Sequence, residues 1–73
     1  MPARTAMTAT DIRQQLELLE TERALALDTA LRNDVAYMSD LREEIVATRH
    51  AYVGSAVMEI AQLRADLGAK NWG

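Results

Sequence analysis

Residues that commonly carry chemistry are few in this 73-residue chain. Its single histidine, His50, is the natural candidate for metal binding or acid-base catalysis. A di-iron helical bundle needs a glutamate three residues before such a histidine, so that both side chains face one ion, and Ala47 stands there. A zinc site would need further histidine or cysteine ligands, which the sequence lacks. We therefore predict no metal and no cofactor, and interpret His50 as a surface or interface residue.

Other catalytic patterns are also missing from the sequence. Ser39 and Ser55 have no histidine at helical spacing and are better explained as helix caps. Glu43 and Glu44 point to two different sides of a helix, which argues against a general acid-base pair. No nucleophile elbow or glycine-rich phosphate loop is present. The sequence therefore predicts a protein that is not an enzyme.

Composition favours an all-α fold that needs a partner for stability. Alanine supplies 13 residues, phenylalanine none and proline one, which suits close-packed helices better than a deep pocket. A chain of this length buries only about 60% of the surface that it exposes when unfolded. Because the chain has no cysteine, disulfides are excluded as additional support. Self-association is the support that remains, so we expect a homo-oligomer.

Charge and hydropathy limit the cellular locations and the kinds of partner that we expect for this protein. The net charge of −3 disfavours nonspecific nucleic-acid binding, which depends on excess lysine and arginine. Arginine outnumbers lysine seven to one and, with the abundant alanine, indicates a GC-rich coding sequence of a bacterium, phage or plasmid. No apolar run resembles a signal peptide or a membrane span. We expect a cytoplasmic protein that does not associate with membranes.

Local signals divide the chain into a tail, a helical domain and a second tail. Residues 1–9 lack periodicity, and Thr8 with Asp11 matches a capping box, so the first helix should begin near residue 10. Apolar residues then recur on one stripe: Ile12, Leu16, Leu19, Ala26, Leu27 and Ala30. Gly68 is placed to stop the second helix near residue 67, which leaves residues 68–73 as a C-terminal tail.

The connection between the helices is predicted within residues 32–40. Asn33 is suited to ending a helix in the left-handed conformation and Asp34 to capping the next one. Ser39 or Asp40 offers a second possible start, since Asp40 and Glu43 resemble a capping box. An unbroken long helix is the rival interpretation, because residues 35–38 are too apolar for a comfortable exposed loop.

The second helix has three faces when it is projected at about 100° per residue. A wide apolar face comprises Ile45, Val46, Tyr52, Val53, Ala56, Val57, Ile60, Leu63 and Leu67. A polar face includes Thr48, and between the two lies a strip of small residues: Ala47, Ala51, Gly54, Ala61 and Ala65. Gly54 costs about 1 kcal/mol relative to alanine inside a helix. It indicates either close approach of a second helix or a break capped by Ser55.

These elements predict a helical hairpin of two long amphipathic helices over residues 10–67. A single hairpin cannot bury all of the apolar faces, so we expect a dimeric helical bundle. A coiled-coil dimer of long helices is the alternative. In size, acidity and hairpin pattern the chain resembles the Rop family of plasmid RNA-binding bundles. That resemblance is one of architecture alone, matches no motif and transfers no residue roles.

The function predicted from the sequence is that of a protein-protein interaction module, such as a regulator, adaptor or phage or plasmid accessory protein, that binds a larger protein. The alternative is a Rop-like dimeric bundle that binds RNA or DNA. Arg42 and Arg49, seven residues apart amid the apolar face, either pair with glutamates or form a basic stripe. The predicted interaction residues are Arg42, Arg49, Ala51, Tyr52, Val53, Gly54, Val57 and Trp72.

Overall fold

The chain folds as an all-α helical hairpin. A computed structural model describes the backbone of residues 7–72 and the side chains of residues 7–69. Helix α1 spans Ala9–Leu27, a short 3₁₀ turn spans Ala30–Asn33, and helix α2 spans Val35–Trp72. The described part of the chain contains no strand. It measures 61 × 30 × 16 Å, and the predicted hairpin is confirmed.

The first helix begins where the capping signal predicts. The hydroxyl oxygen of Thr8 accepts a hydrogen bond from the Asp11 backbone N–H at 3.2 Å, and the Asp11 carboxylate accepts one from the Thr8 N–H at 3.2 Å. This reciprocal pair satisfies two donors that a helix N-terminus would otherwise leave free. The predicted start near residue 10 is therefore correct to within one residue.

The turn begins earlier than the predicted range of 32–40 and overlaps only its first three residues, because α1 already ends at Leu27, two residues before Thr29. The Thr29 hydroxyl donates to the Ala26 carbonyl at 2.9 Å and accepts from the Leu31 N–H at 3.1 Å. Such side-chain bonds offer the backbone an alternative to continued helix. Asp34 caps α2, which confirms the first of the two predicted starts: its carboxylate accepts a hydrogen bond from the Tyr37 N–H at 3.0 Å. The proposed left-handed Asn33 is wrong, since no non-glycine residue of the described chain has positive φ.

Helix α2 is continuous from the turn to Trp72. It passes through Gly54 without a break, so Ser55 does not cap a third helix. It also passes through Gly68, which corrects the predicted end near Leu67 and places the backbone of residues 68–72 in the helix. A glycine ends a helix by taking positive φ, and no described glycine does so. The rival prediction of one unbroken long helix is also wrong, because the chain reverses direction between α1 and α2.

The core of the hairpin is a narrow line of side chains between the two helices, which we call the hairpin seam. On α2, residues spaced alternately three and four apart face α1, the spacing of antiparallel coiled-coil contacts. The buried members of the seam are Leu19 and Ala26 of α1 and Leu41, Ile45 and Thr48 of α2. Leu16 and Tyr37 pack against the buried leucines and isoleucine. The five buried members of the seam are the only buried residues of the described chain.

The hairpin seam differs from the wide apolar face predicted for α2. Ile45 belongs to both, but Thr48, which the sequence places on the polar face, is buried at 9% exposure. Tyr52 and Ala56 of the wide face are half-buried, and its other members turn away from α1 or extend past it. Its exposed members are Val46, Val53, Val57, Ile60, Leu63 and Leu67. On α1, Leu27 and Ala30 of the predicted stripe are likewise exposed, since α1 ends at Leu27.

Core packing at Leu41 can be tested with a matched substitution. Leu41 is 4% exposed and Leu18 is 72% exposed. We expect Leu41→Ala to lower the free energy of unfolding by about 2 kcal/mol or more, because it removes buried methyl groups and leaves a cavity. The same change at Leu18 should cost less than about 0.5 kcal/mol. Urea unfolding followed by circular dichroism at one protein concentration measures both, and equal losses would contradict the assigned core.

Candidate interaction surface

A second line of side chains runs along α2 beside the hairpin seam, and we call it the outer seam. Its members are spaced alternately four and three apart: Arg42, Val46, Arg49, Val53, Ala56, Ile60, Leu63 and Leu67. A repeat of this spacing keeps one face of a helix turned toward a neighbouring helix. The apolar members other than the half-buried Ala56 are 43–57% exposed. The outer seam therefore presents coiled-coil spacing without a covering helix in the described hairpin.

The C-terminal part of α2 extends beyond the N-terminus of α1, and we call residues 60–72 the overhang. The first backbone N–H of α1, at Ala9, donates to the Glu59 carboxylate at 3.2 Å, so Glu59 lies level with the start of α1. The overhang is about 20 Å long at the helical rise per residue. Ile60, Leu63 and Leu67 are each more than half exposed on it. An isolated amphipathic helix exposes apolar surface that packing against another chain would bury.

The outer seam borders a basic groove of about 290 Å³ where it runs beside α1. Arg23 of α1 and Arg42 and Arg49 of α2 line this groove together with Glu20. The Arg49 guanidinium donates to the Glu20 carboxylate at 3.2 Å. Both side chains are about half exposed, so solvent screens this ion pair and its stabilisation is small. Three cations against one anion leave the groove positively charged.

A second groove, the Leu18 groove, lies on the other side of the hairpin. Its volume is about 330 Å³, and its main lining residues are Leu18, Leu25, Leu31 and Tyr37. Leu18 and Leu25 are 72% and 63% exposed. The Tyr37 hydroxyl donates to the Glu22 carboxylate and so links the two helices at one edge of the groove. This arrangement is a shallow apolar depression with one polar edge, a shape suited to a protruding apolar side chain.

The predicted interaction residues divide among several faces. Arg42, Arg49 and Val53 lie on the outer seam, and Val57 lies beside it at 58% exposure. Tyr52 is half-buried in line with the hairpin seam and therefore contributes to the hairpin itself. Both interpretations of the arginines apply in part, since Arg49 pairs with Glu20 while the groove as a whole stays basic.

Ala51 and Gly54 do not meet α1. Both are exposed, and a methyl group placed on Gly54 would have no atom within 4 Å outside its own helix. The hairpin has no close helix contact at these residues. Close approach of a helix from another chain stays a prediction. The side chain of Trp72 lies outside the part of the chain whose side chains are described, and so does its predicted role as an anchor.

His50 is exposed on α2, consistent with a surface position. Within the described residues, no three histidine or acidic side chains come together as a metal site would require. No described helix is both long enough and apolar enough to cross a membrane.

Sequence reasoning missed two parts of these surfaces as candidate sites. The sequence places Ile60, Leu63 and Leu67 on the wide apolar face, but it does not show that they lie beyond the N-terminus of α1. Leu18 and Leu25 lie seven residues apart on α1, but the sequence does not show that Leu31 of the turn and Tyr37 of α2 complete a groove with them. The outer seam and the hairpin seam have the same alternating spacing, so spacing alone reveals both lines but does not tell which of them α1 covers.

Comparison with protein-family models, with curated proteins and with solved structures found no match to this chain.

The link between Tyr37 and Glu22 has a measurable consequence. The hydrogen bond to the Glu22 carboxylate, aided by partial desolvation and charge repulsion, raises the pKa of the Tyr37 phenol above its ordinary value of 10.0. The stability that this bond contributes is therefore complete below about pH 10 and is lost as the pH rises through the raised pKa. In a Tyr52→Phe background, ultraviolet titration of the remaining tyrosine should give a midpoint above 10.0.

The matched comparison for this titration is Glu22→Gln against Glu17→Gln. Glu22→Gln should return the midpoint toward the ordinary value, because a neutral amide accepts a weaker hydrogen bond from the phenol than a carboxylate does and carries no charge to repel the phenolate. Glu17 pairs with Arg13 on α1 rather than with Tyr37, so Glu17→Gln should leave the midpoint unchanged. The same midpoint with and without the Glu22 carboxylate would contradict the assigned contact.

Proposed function

We propose that this protein is a non-enzymatic helical interaction module that associates with itself and binds a larger protein. The observation that supports the proposal is the imbalance between its two helices. Helix α1 covers one side of α2, and the outer seam and the overhang keep their apolar side chains in solvent. Covering these side chains at about 25 cal/mol per Å² of apolar surface would favour association with another chain.

Self-association is proposed for the outer seam, and binding of a larger protein is proposed for the Leu18 groove. The groove and the outer seam lie on different sides of the hairpin, so one can be occupied without blocking the other. Exposed leucines beside a polar edge resemble the apolar pockets that receive anchor residues at protein interfaces. The Glu22 carboxylate and the Tyr37 hydroxyl would orient such an anchor at the rim.

Binding of a larger protein can be tested with neighbouring glutamine substitutions. Leu25→Gln replaces an apolar lining residue of the Leu18 groove, whereas Ala24→Gln changes the adjacent exposed residue on another side of α1. With immobilised protein and lysate of the source organism, we expect Leu25→Gln to reduce capture of specific partners about tenfold or more, as loss of an anchor contact does. Ala24→Gln should retain them. Equal capture by both variants would contradict the proposal for this groove.

Nucleic-acid binding is the second candidate function, and the basic groove favours it. Arg23, Arg42 and Arg49 converge beside a single glutamate, which gives an acidic protein one locally basic surface. A dimeric bundle with such a groove would follow the Rop-like alternative. Phosphate contacts of this kind would make the affinity fall steeply with salt.

Salt dependence distinguishes this second candidate from the first. Fluorescence anisotropy with a labelled RNA hairpin and a labelled DNA duplex at low ionic strength should detect binding if the groove receives phosphates. The double variant Arg42→Gln, Arg49→Gln should then lose about tenfold or more in affinity, since each lost phosphate contact weakens binding at low salt. The change Arg13→Gln, away from the groove, is the control. No binding at low salt, or binding unaffected by the double change, would exclude this candidate.

A further inference from the structure

We infer that the outer seam is covered by the outer seam of a second copy of this chain, in antiparallel orientation and centred between Val53 and Ala56. The inference rests on the proposed self-association and adds to it the orientation, the register and the contacts. It depends on the way charge is distributed along a single face of α2.

The two halves of the outer seam differ in electrostatic character. Where α2 runs beside α1, the seam contains Arg42 and Arg49 and borders the basic groove. From Ala56 to Leu67 the seam is wholly apolar, and Glu59 and Asp66 flank it on the side toward α1. A parallel pair would set each arginine against its own copy, which is unfavourable for like charges. An antiparallel pair sets the basic half of one copy against the acid-flanked half of the other.

The spacing of the outer seam supplies a register in which every layer is filled. With the pair centred between Val53 and Ala56, Val46 of each copy faces Leu63 of the other. The outer layers place Arg49 against Ile60 and Arg42 against Leu67. Glu59 and Asp66 directly precede Ile60 and Leu67 in the sequence, so each carboxylate flanks a layer that contains an arginine. Arginine stems can cover the apolar side chains while their guanidinium groups reach these carboxylates at the rim.

The residues on the far flank of the seam agree with the same register. Glu43 and Arg64 lie on the side of the outer seam away from α1, and neither forms an ion pair with another residue of the described chain. In the antiparallel register Glu43 of one copy is opposite Arg64 of the other, and the twofold axis repeats the pair. A shift of seven residues in either direction separates them. Charge complementarity therefore selects one register among those that the apolar spacing allows.

The pairing also accounts for the overhang. In this register, residues 60–67 of each copy lie along the part of α2 that borders the basic groove of the other copy. The segment that extends beyond α1 in one hairpin therefore covers the exposed side of its neighbour. The result is a bundle in which the two α2 helices are central and both α1 helices lie on the same side of the pair.

Orientation can be measured by disulfide formation, since the native chain has no cysteine. An equimolar mixture of Val46→Cys and Leu63→Cys proteins should give mainly the mixed disulfide under mild oxidation, identified by its mass. In a parallel pair these positions would lie about 25 Å apart, and Val46→Cys would cross-link to itself instead. Ala47→Cys mixed with Leu63→Cys is the control, because Ala47 lies on another face of α2. Predominant self-linked disulfides, or no preference over the control, would overturn the inference.

Register can be measured by exchanging charges. Glu43→Arg and Arg64→Glu each turn two attractive pairs into repulsive ones, so each protein alone should dimerise on the order of tenfold more weakly than the native protein. Mixing the two variants should restore the affinity to within about twofold, because every opposing pair is then complementary. Glu44→Arg makes the same charge change on the polar face and should neither weaken dimerisation nor rescue Arg64→Glu. Sedimentation equilibrium measures the dissociation constants, and failure of the mixture to recover would overturn the register.

Failure of this inference is distinguishable from failure of the proposed function. The native protein should have twice the 8.1 kDa mass of one chain at the concentrations used for cross-linking. A monomer of 8.1 kDa overturns the inference and the proposed self-association together, whereas a dimer that does not favour the mixed disulfide overturns the inference alone. Capture of a larger protein through the Leu18 groove is measured separately with Leu25→Gln. An antiparallel dimer without Leu25-dependent capture would support the inference and contradict the binding of a larger protein.

Discussion

The unequal length of two packed helices is the constraint on which the rest of this structure depends. Helix α1 has 19 residues and α2 has 38, so α1 can cover only one line of side chains along half of its partner. The hairpin seam that results buries five residues, and no side chain of the described chain is less than 2% exposed. A core this small gives little hydrophobic stabilisation. The association of α2 with another chain that we propose would add to this burial.

Much of the hairpin could be predicted from local sequence signals, because those signals act within one helical turn. The capping box of Thr8 and Asp11 identifies the start of α1, and Asp34 identifies the start of α2. The end of α1 was harder to predict, since Thr29 ends it through hydroxyl bonds that compete with the helix rather than through glycine or proline. Gly68 failed as a stop signal because a glycine permits positive φ without requiring it.

The assignment of residues to buried and exposed faces could not be predicted in the same way. A helical projection identifies which side chains of α2 share a face, but the position of α1 decides which face is covered. Thr48 is buried because α1 packs across it, although its hydroxyl placed it among polar residues in the projection. Val46 and Val53 stay exposed because α1 does not pack across them. The candidate surfaces depend on this choice, so the predicted interaction residues became divided between the hairpin seam, the outer seam and the small-residue strip.

The hydrogen bond from the Ala9 N–H to the Glu59 carboxylate has a consequence for the dimensions of the molecule. A carboxylate at the N-terminus of a helix is favoured by the partial positive charge there, and here it comes from the partner helix. The bond therefore favours the alignment of the first turn of α1 with Glu59, an alignment that the buried contacts of the hairpin seam also maintain. A displacement of this alignment by one helical turn would change the uncovered length by about 5 Å. This exposed contact thus marks the position at which the uncovered length of α2 begins.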